Sequence, residues 1–380
     1  MRVRCVLVCL GLLAAVPVPA TASAVPVAGR PVYVTNSGRS FDGTLGPHNV
    51  AVFAGGAALT PLGEPVPAGA GARGIVFAPS GRFAYATATD EGVVYPYRVG
   101  RRGELTQLGT PVTTGGASPF GIALAPDGRT LYTANIAVHT VSTFAVGGDG
   151  TLTPLGAPVA TGLLNPRNLA VSLDGRFLFV SHGTPLDTVP DAIVVFPRLP
   201  DGSLGPSGAP IPTGGAGTGF ALTPDGASLY LACSATDGIY GFHIGPDGSL
   251  SALPGSPYPV PKTPEGVTLS PDGRHLYVSA VATRPVLSPE DQGIWTFAVG
   301  SDGALTPAGP PLRGIAGPGL AMTPDGRRLY VSDFFTNLVS TLDIDPATGS
   351  LSDVARIMSG ATRRPSTRSR CCRTRGRPRG

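Results

Sequence analysis

The stretch "SPDGRHLYVSA" at residues 270–280 decides the fold, because nearly the same words return along the chain. They recur as "APSGRFAYATA" at 78–88, "APDGRTLYTAN" at 125–135, "SLDGRFLFVSH" at 172–182, "TPDGASLYLAC" at 223–233 and "TPDGRRLYVSD" at 323–333. An earlier, headless copy is "GRPVYVTN" at 29–36. Pro-Asp-Gly sets a tight turn: Pro fixes φ, Asp bonds the local backbone and Gly accepts positive φ. The alternation that follows predicts a strand with two faces to bury.

The turn glycines fall at Gly29, Gly81, Gly128, Gly175, Gly226, Gly273 and Gly326, spaced by 52, 47, 47, 51, 47 and 53 residues. A repeat of this length built from short strands and turns predicts propeller blades of four antiparallel strands. Each unit supplies an innermost strand such as "GVTLSP", a second such as "HLYVSA" and a third such as "GIWTFAVG". An outer strand is introduced by words such as "DGALTP". Gly and Pro make up 95 of 380 residues and charged residues only 14%, which excludes a helical solenoid. The expected fold is all-β: a seven-bladed β-propeller of four-stranded antiparallel blades over residues 25–360.

The two ends differ from this body. Residues 1–24 carry Arg2 and Arg4, the apolar run "CVLVCLGLLAAV" and Ala22-Ser23-Ala24. That is the pattern of a secretory signal peptide cleaved near Ala24, and it predicts a secreted, extracellular protein. The apolar run is too short to span a bilayer, so stable membrane insertion is not expected. Residues 361–380 hold eight Arg and no acid, which predicts a disordered tail. A basic arm for an anionic partner and a frameshift are alternative readings of the same segment. Without Arg2, Arg4 and the tail, 18 basic residues face 24 acids, so the body is acidic and no nucleic-acid partner is expected. Of five cysteines only Cys233 lies in the body, so no internal disulfide is available.

The headless first unit begins at its second strand. Its innermost strand would have to come from the other chain end, where the Arg-rich tail stands instead. Ring closure is therefore expected to be altered at the C-terminus. A shifted reading frame of the tail yields a Pro-led, alternating apolar segment of the innermost-strand form.

Variation in repeat length is concentrated in the loops between second and third strands, which marks that face as the binding face. The long loops are "SGRSFDGTLGP" at 37–47, "HGTPLDTVP" at 182–190 and "AVATRPVLSPED" at 280–291. The same face carries the starts of the innermost strands, which read Arg73, Phe120, Arg167, Thr218, Glu265 and Pro318 around the channel mouth. Two arginines, a carboxylate and an aromatic ring suit an anionic or oxygen-rich ligand. The alternative is that Arg and Glu simply pair across a wet channel. A polar column at the third-strand starts (His48, Glu91, His139, Asp191, Asp237, Gln292, Asn337) is expected to bond the preceding loop. No zinc-like His/Cys cluster, calcium loop, dinucleotide fingerprint or Gly-x-Ser-x-Gly elbow occurs, so neither metal nor cofactor is expected.

"YVTN" at 33–36, "SPDGRHLYVS" at 270–279 and "DGTLTPLG" at 149–156 resemble the YVTN-repeat and lactonase (6-phosphogluconolactonase-like) family of seven-bladed propellers. The resemblance spans roughly residues 29–355. It implies a "PRHL" opening of one innermost strand and "NE" after the next strand. Here Pro166-Arg167-Asn168-Leu169 keeps the Arg but has Asn168 where the family has His, and His182-Gly183 stands at the "NE" place. The His of another blade's opening maps near Phe120 and Gly121. Lactone opening needs a base beside the attacking water and a charge for the carbonyl oxygen. The candidates are Arg167, Glu265 and His182 for catalysis, with Arg73, Phe120, Asn168, Thr218 and Arg284 for ligand binding. The sequence is compatible with a monomeric propeller that binds a small molecule, glycan or extracellular protein at the mouth. It is also compatible with a hydrolase of extracellular lactones or cyclic esters.

Overall fold

The computed structural model describes residues 30–39, 45–183, 191–261, 263–281, 292–333 and 336–359. These form seven antiparallel sheets and no helix. In blade six the innermost strand Pro264–Leu269 pairs with His275–Ala280, which pairs with Gly293–Val299. The turn between the first two is the one read from "SPDGR". Gly273 has φ of +71°, its N–H donates to the Ser270 carbonyl at 2.9 Å, and Asp272 Oδ1 accepts from Arg274 N at 3.1 Å.

The outer strand is not continuous as the sequence reading assumed. In blade six it is two pieces, Leu305–Pro307 and Leu312–Arg313, both paired with the third strand. The interruption coincides with "AGPP", and blades one, two, three and five carry their own Gly-x-Pro at the same place. A Pro lacks the N–H that a ladder needs and Gly turns the chain, so the strand must break there. Blade seven has no such word, and its outer strand Leu351–Met358 runs unbroken.

The core is divided among the seams between blades. Seven apolar clusters are found, each shared by two consecutive blades. The seam between blades seven and one packs Ala321, Tyr330 and Val339 against Val32, Val34 and Phe53, so the ring closes by face-to-face burial. Blade one opens with Pro31–Arg39 and has no strand inside it among the described residues. Residues 361–380, expected to alter the closure, lie outside the described residues, as do the signal segment and Arg284.

In five blades the tyrosine of the second strand stitches its seam. Its hydroxyl donates to a glycine carbonyl in the outer turn of the next blade: Tyr33 to Gly103 at 2.8 Å, Tyr85 to Gly150 at 3.0 Å, Tyr132 to Gly202 at 2.6 Å and Tyr230 to Gly303 at 2.7 Å. Tyr330 meets Gly56 across the closing seam, accepting from its N–H at 3.1 Å. Blade four has Phe179 at this position and makes no such bond. Tyr277 keeps the hydroxyl, yet it is buried without a hydrogen-bond partner. The outer turn it faces, closed by Asp345 N to Ser350 O, is one residue longer than the turn closed by Gly300 N to Ala304 O in blade six.

Candidate active site at the channel mouth

Five innermost strands begin in the same way. Each is entered through a residue with positive φ: Gly71, Ser118, Asn165, Ala216 and Thr263. The ladder then slips, with register shifts between Ala72 and Ile75, Pro119 and Ile122, Pro166 and Asn168, Gly217 and Gly219, and Pro264 and Gly266. Arg73, Phe120, Arg167, Thr218 and Glu265 sit within these β-bulges. A bulge leaves its extra residue out of the ladder and re-aims its side chain. Five of the six mouth residues read from the sequence are therefore bulge residues, whereas Pro318 stands just before the strand Gly319–Met322, whose register does not shift.

The polar column holds those entries in place. Ala70 N donates to Glu91 Oε1 at 2.7 Å, Asn165 N to His139 Nδ1 at 3.0 Å and Thr263 N to Asp237 Oδ1 at 2.7 Å. Asp191 Oδ2 accepts from Ala216 N in the same way. The hydroxyls of the "YVT" and "FVS" words reach the neighbouring innermost strand: Thr35 Oγ1 donates to the Arg73 carbonyl at 2.5 Å and Ser181 Oγ to that of Gly217 at 3.0 Å. Adjacent innermost strands come so close that a Cβ on Gly121 would stand 2.7 Å from the Arg167 carbonyl oxygen. The Gly after Phe120 is thus a spacing requirement, and the same holds for Gly266 after Glu265, where a Cβ would stand 2.7 Å from the Pro318 carbonyl oxygen.

The ring side chains converge. Arg73 Cζ lies 3.9 Å from the centroid of Phe120 and Arg167 Cζ lies 5.3 Å from it, so one aromatic ring carries two guanidinium groups. Arg167 Nη2 is 4.0 Å from Glu265 Oε2, too far for a hydrogen bond. Arg167 and Glu265 are 4% and 5% exposed. Arg167 Nε and Glu265 Oε2 have no hydrogen-bond partner. Burial raises the Glu265 pKa above the ordinary carboxylate range, while Arg167 and then Arg73 pull against that rise. The result is a carboxyl that charges reluctantly, beside two cations that would welcome an added negative charge.

The other expected residues have different surroundings. Asn168 is engaged at both ends of its amide, with Nδ2 donating to the Thr218 carbonyl at 2.6 Å and Oδ1 accepting from Leu169 N at 2.9 Å. Thr218 Oγ1 lies 3.1 Å from the carbonyls of both Ala232 and Pro264, so its proton is committed to the scaffold. His182 is buried, and Nδ1 lies 3.3 Å from the Ala192 carbonyl. Burial pushes its pKa down to about 4, so its imidazole is neutral at pH 7. Arg167, Glu265, Phe120, Asn168 and Thr218 line one cavity of about 680 Å³ that continues down the channel, and His182 is not among its lining residues. Among the described residues no group of three His, Cys, Asp or Glu is arranged to hold a metal ion.

The bulge and its latch were not foreseen. Their signal is faint but present: four of the five entries are a non-Gly residue in a conformation such residues seldom adopt. At Asn165, Ala216 and Thr263 the column residue of the preceding blade, His139, Asp191 or Asp237, holds the entry by a backbone N–H.

No match was found among curated proteins. The chain is similar in structure to a 6-phosphogluconolactonase-like protein of Bacteroides uniformis, at 23% identity over 87% of this chain and 97% of that one, with a TM-score of 0.72. A second such protein, from Bacteroides fragilis, gives 21% identity, 89% and 97% coverage and a TM-score of 0.71. The periplasmic gluconolactonase of Pseudomonas aeruginosa gives 21% identity, 85% and 95% coverage and a TM-score of 0.65. At these identities the likeness speaks for the fold alone. The family model described as lactonase, 7-bladed beta-propeller, matches residues 44–185 and 249–363, more than half of the chain. Seven blades, the repeated turn words and that match together make this chain a member of the lactonase family of seven-bladed β-propellers.

Proposed function

We propose that the chain opens lactones or cyclic esters at the channel mouth, with Glu265 as general base and Arg167 and Arg73 as the electrostatic partners of the carbonyl oxygen. The observation that carries this reading is the carboxylate oxygen Glu265 Oε2, buried without a hydrogen-bond partner and 4.0 Å from Arg167 Nη2. The gap between them suits a polar atom that bonds both. Water held by Glu265 would attack the lactone carbonyl as the carboxylate takes its proton. The oxyanion would form beside the guanidinium groups, which are already in place and need no reorganisation. Collapse breaks the bond to the ring oxygen, and the proton on Glu265 passes to that leaving alkoxide. A carboxyl with a raised pKa is a better base near neutral pH than an ordinary one.

Family membership supports the reaction class, and the names of the structural neighbours point the same way. The departures at Asn168 and His182 argue against carrying over a sugar-phosphate substrate. The second reading is a binding propeller for a small molecule, glycan or extracellular protein. It is favoured by the commitment of Asn168 and Thr218 to the scaffold, and by a lining in which, among the described residues, Glu265 and Arg167 are the charged side chains. Either role is proposed to operate outside the cell, on the strength of the signal-like residues 1–24. A hydrolysis screen of lactones with the purified protein, beside Arg167→Ala and Glu265→Ala, separates the two. Turnover lost in both variants supports the hydrolase, whereas an inactive wild-type protein refutes it.

A further inference from the structure

The channel below the mouth has a composition that the proposed reaction does not require. The cavity is continuous from Arg167 and Glu265 to Pro79, Pro126 and Leu173 at the opposite face. Its described wall is six innermost strands of four to six residues. At about 3.3 Å per residue such strands run roughly 20 Å. Beneath the ring the lining is apolar: Ile75, Phe77, Leu124, Val171, Leu222 and Leu269 are representative. Thr268 and Ser270 are the only polar side chains of the lining below the mouth, among the described residues. The Ser270 hydroxyl is already donated to Asp272 Oδ1 at 2.6 Å. Both charges of the lining, Arg167 and Glu265, stand at one end.

A polyhydroxylated sugar lactone entering this channel would leave hydroxyls without partners, at a cost for each. An alkyl chain would instead displace water from apolar wall and gain on every carbon. We propose that the ligand of the mouth is amphipathic: a lactone carrying an alkyl chain, with its ring among Arg167, Glu265 and Phe120 and its chain along the channel. The ring placement rests on the lactone-opening reading above, whereas the chain placement rests on the channel wall alone.

The test uses two separate readouts on the full chain. In the first, kcat/KM is compared for γ-butyrolactone, γ-octalactone, γ-dodecalactone and glucono-δ-lactone. A fully buried methylene is worth roughly a fourfold gain, so γ-octalactone, with four more carbons, is expected to exceed γ-butyrolactone by about 250-fold if its chain is fully buried. Glucono-δ-lactone is expected to be the poorest of the four. In the second, sodium octanoate and sodium acetate are compared as ligands by thermal shift, since both carry a carboxylate for the arginines and only one carries a chain. Octanoate is expected to raise the melting temperature at concentrations where acetate does nothing, and Leu124→Asn with Leu222→Asn to abolish that rise in a protein that still melts cooperatively.

Hydrolysis without chain-length dependence, or a preference for the sugar lactone, overturns the alkyl inference while leaving the hydrolase standing. Hydrolysis of none of the four with a clear octanoate shift refutes the hydrolase and supports the alkyl channel. No octanoate shift overturns the alkyl channel whatever the rates.

Discussion

The seam tyrosines offer a comparison in which the same substitution has opposite consequences at two places. Tyr230→Phe removes a buried hydroxyl that donates to the Gly303 carbonyl at 2.7 Å. The ring remains, so no cavity forms, and the loss is the bond plus the stranded carbonyl, about 1–3 kcal/mol. Tyr277→Phe removes a hydroxyl that is equally buried but has no partner. Its desolvation is already a cost to the folded state, so the variant is expected to be neutral or more stable by up to about 1 kcal/mol. Blade four shows that the scaffold accepts this change, because Phe179 stands there naturally. The assay is urea unfolding of the two variants beside the wild-type protein, read as midpoints at unchanged slope. Tyr230→Phe should fall by about 1 kcal/mol or more and Tyr277→Phe should not fall at all. Equal destabilisation of both would refute the reasoning, since it would mean that the Tyr277 hydroxyl is bonded after all.

Four further outcomes are expected. Glu265→Gln should abolish lactone turnover and also change the pH dependence of stability. The folded carboxyl ionises at a higher pH than the unfolded one, so its contribution is complete below the ordinary carboxylate range and is lost as pH rises through the raised value. The variant removes that loss, and thermal melts from pH 4 to 8 should show it gaining on the wild type as pH increases. His182 gives the opposite sign: its imidazole stays neutral down to about 4, so its contribution is present above the unfolded pKa near 6.5 and lost at up to roughly 1.4 kcal/mol per pH unit as pH falls. His182→Gln should flatten that acid limb in melts between pH 7 and 4. Asp237→Ala strands Thr263 N and should cost about 1 kcal/mol in urea unfolding, as loss of a backbone-capping side chain does. Intact-mass measurement of protein exported by its native host should show an N-terminus at Val25.

Much of the fold was legible because its signal is repeated. A single "SPDGRHLYVSA" specifies only a turn and a strand, but its return at intervals near fifty residues fixes the blade count. The ring of mouth residues was also legible, since aligning the turns brings Arg73, Phe120, Arg167, Thr218 and Glu265 into one column. What made them a site was not. The bulge that lifts each of them from its ladder follows a left-handed residue, which before Arg167, Thr218 and Glu265 is held by a side chain of the preceding blade. Ser118, Asn165, Ala216 and Thr263 share no residue type, so composition hides them. Asn168 and Thr218 were placed on the correct face, yet their partners are carbonyls of neighbouring strands, and such pairings exist only once the ring is assembled. The broken outer strands had a plain signal in Gly-x-Pro, and its absence from blade seven correctly marks the one that runs through.

The β-bulges have a further consequence for how such a mouth changes over time. Because each ring residue stands outside the hydrogen-bond ladder, the scaffold grips it through its main chain: Thr35 holds the Arg73 carbonyl, and Thr218 holds the carbonyl preceding Glu265. The side chains at Arg73, Phe120, Arg167 and Glu265 are therefore open to exchange without unzipping a sheet, whereas that of Thr218 is itself part of the grip. Blade by blade, the molecule can rewrite its chemistry one letter at a time while its architecture stays untouched.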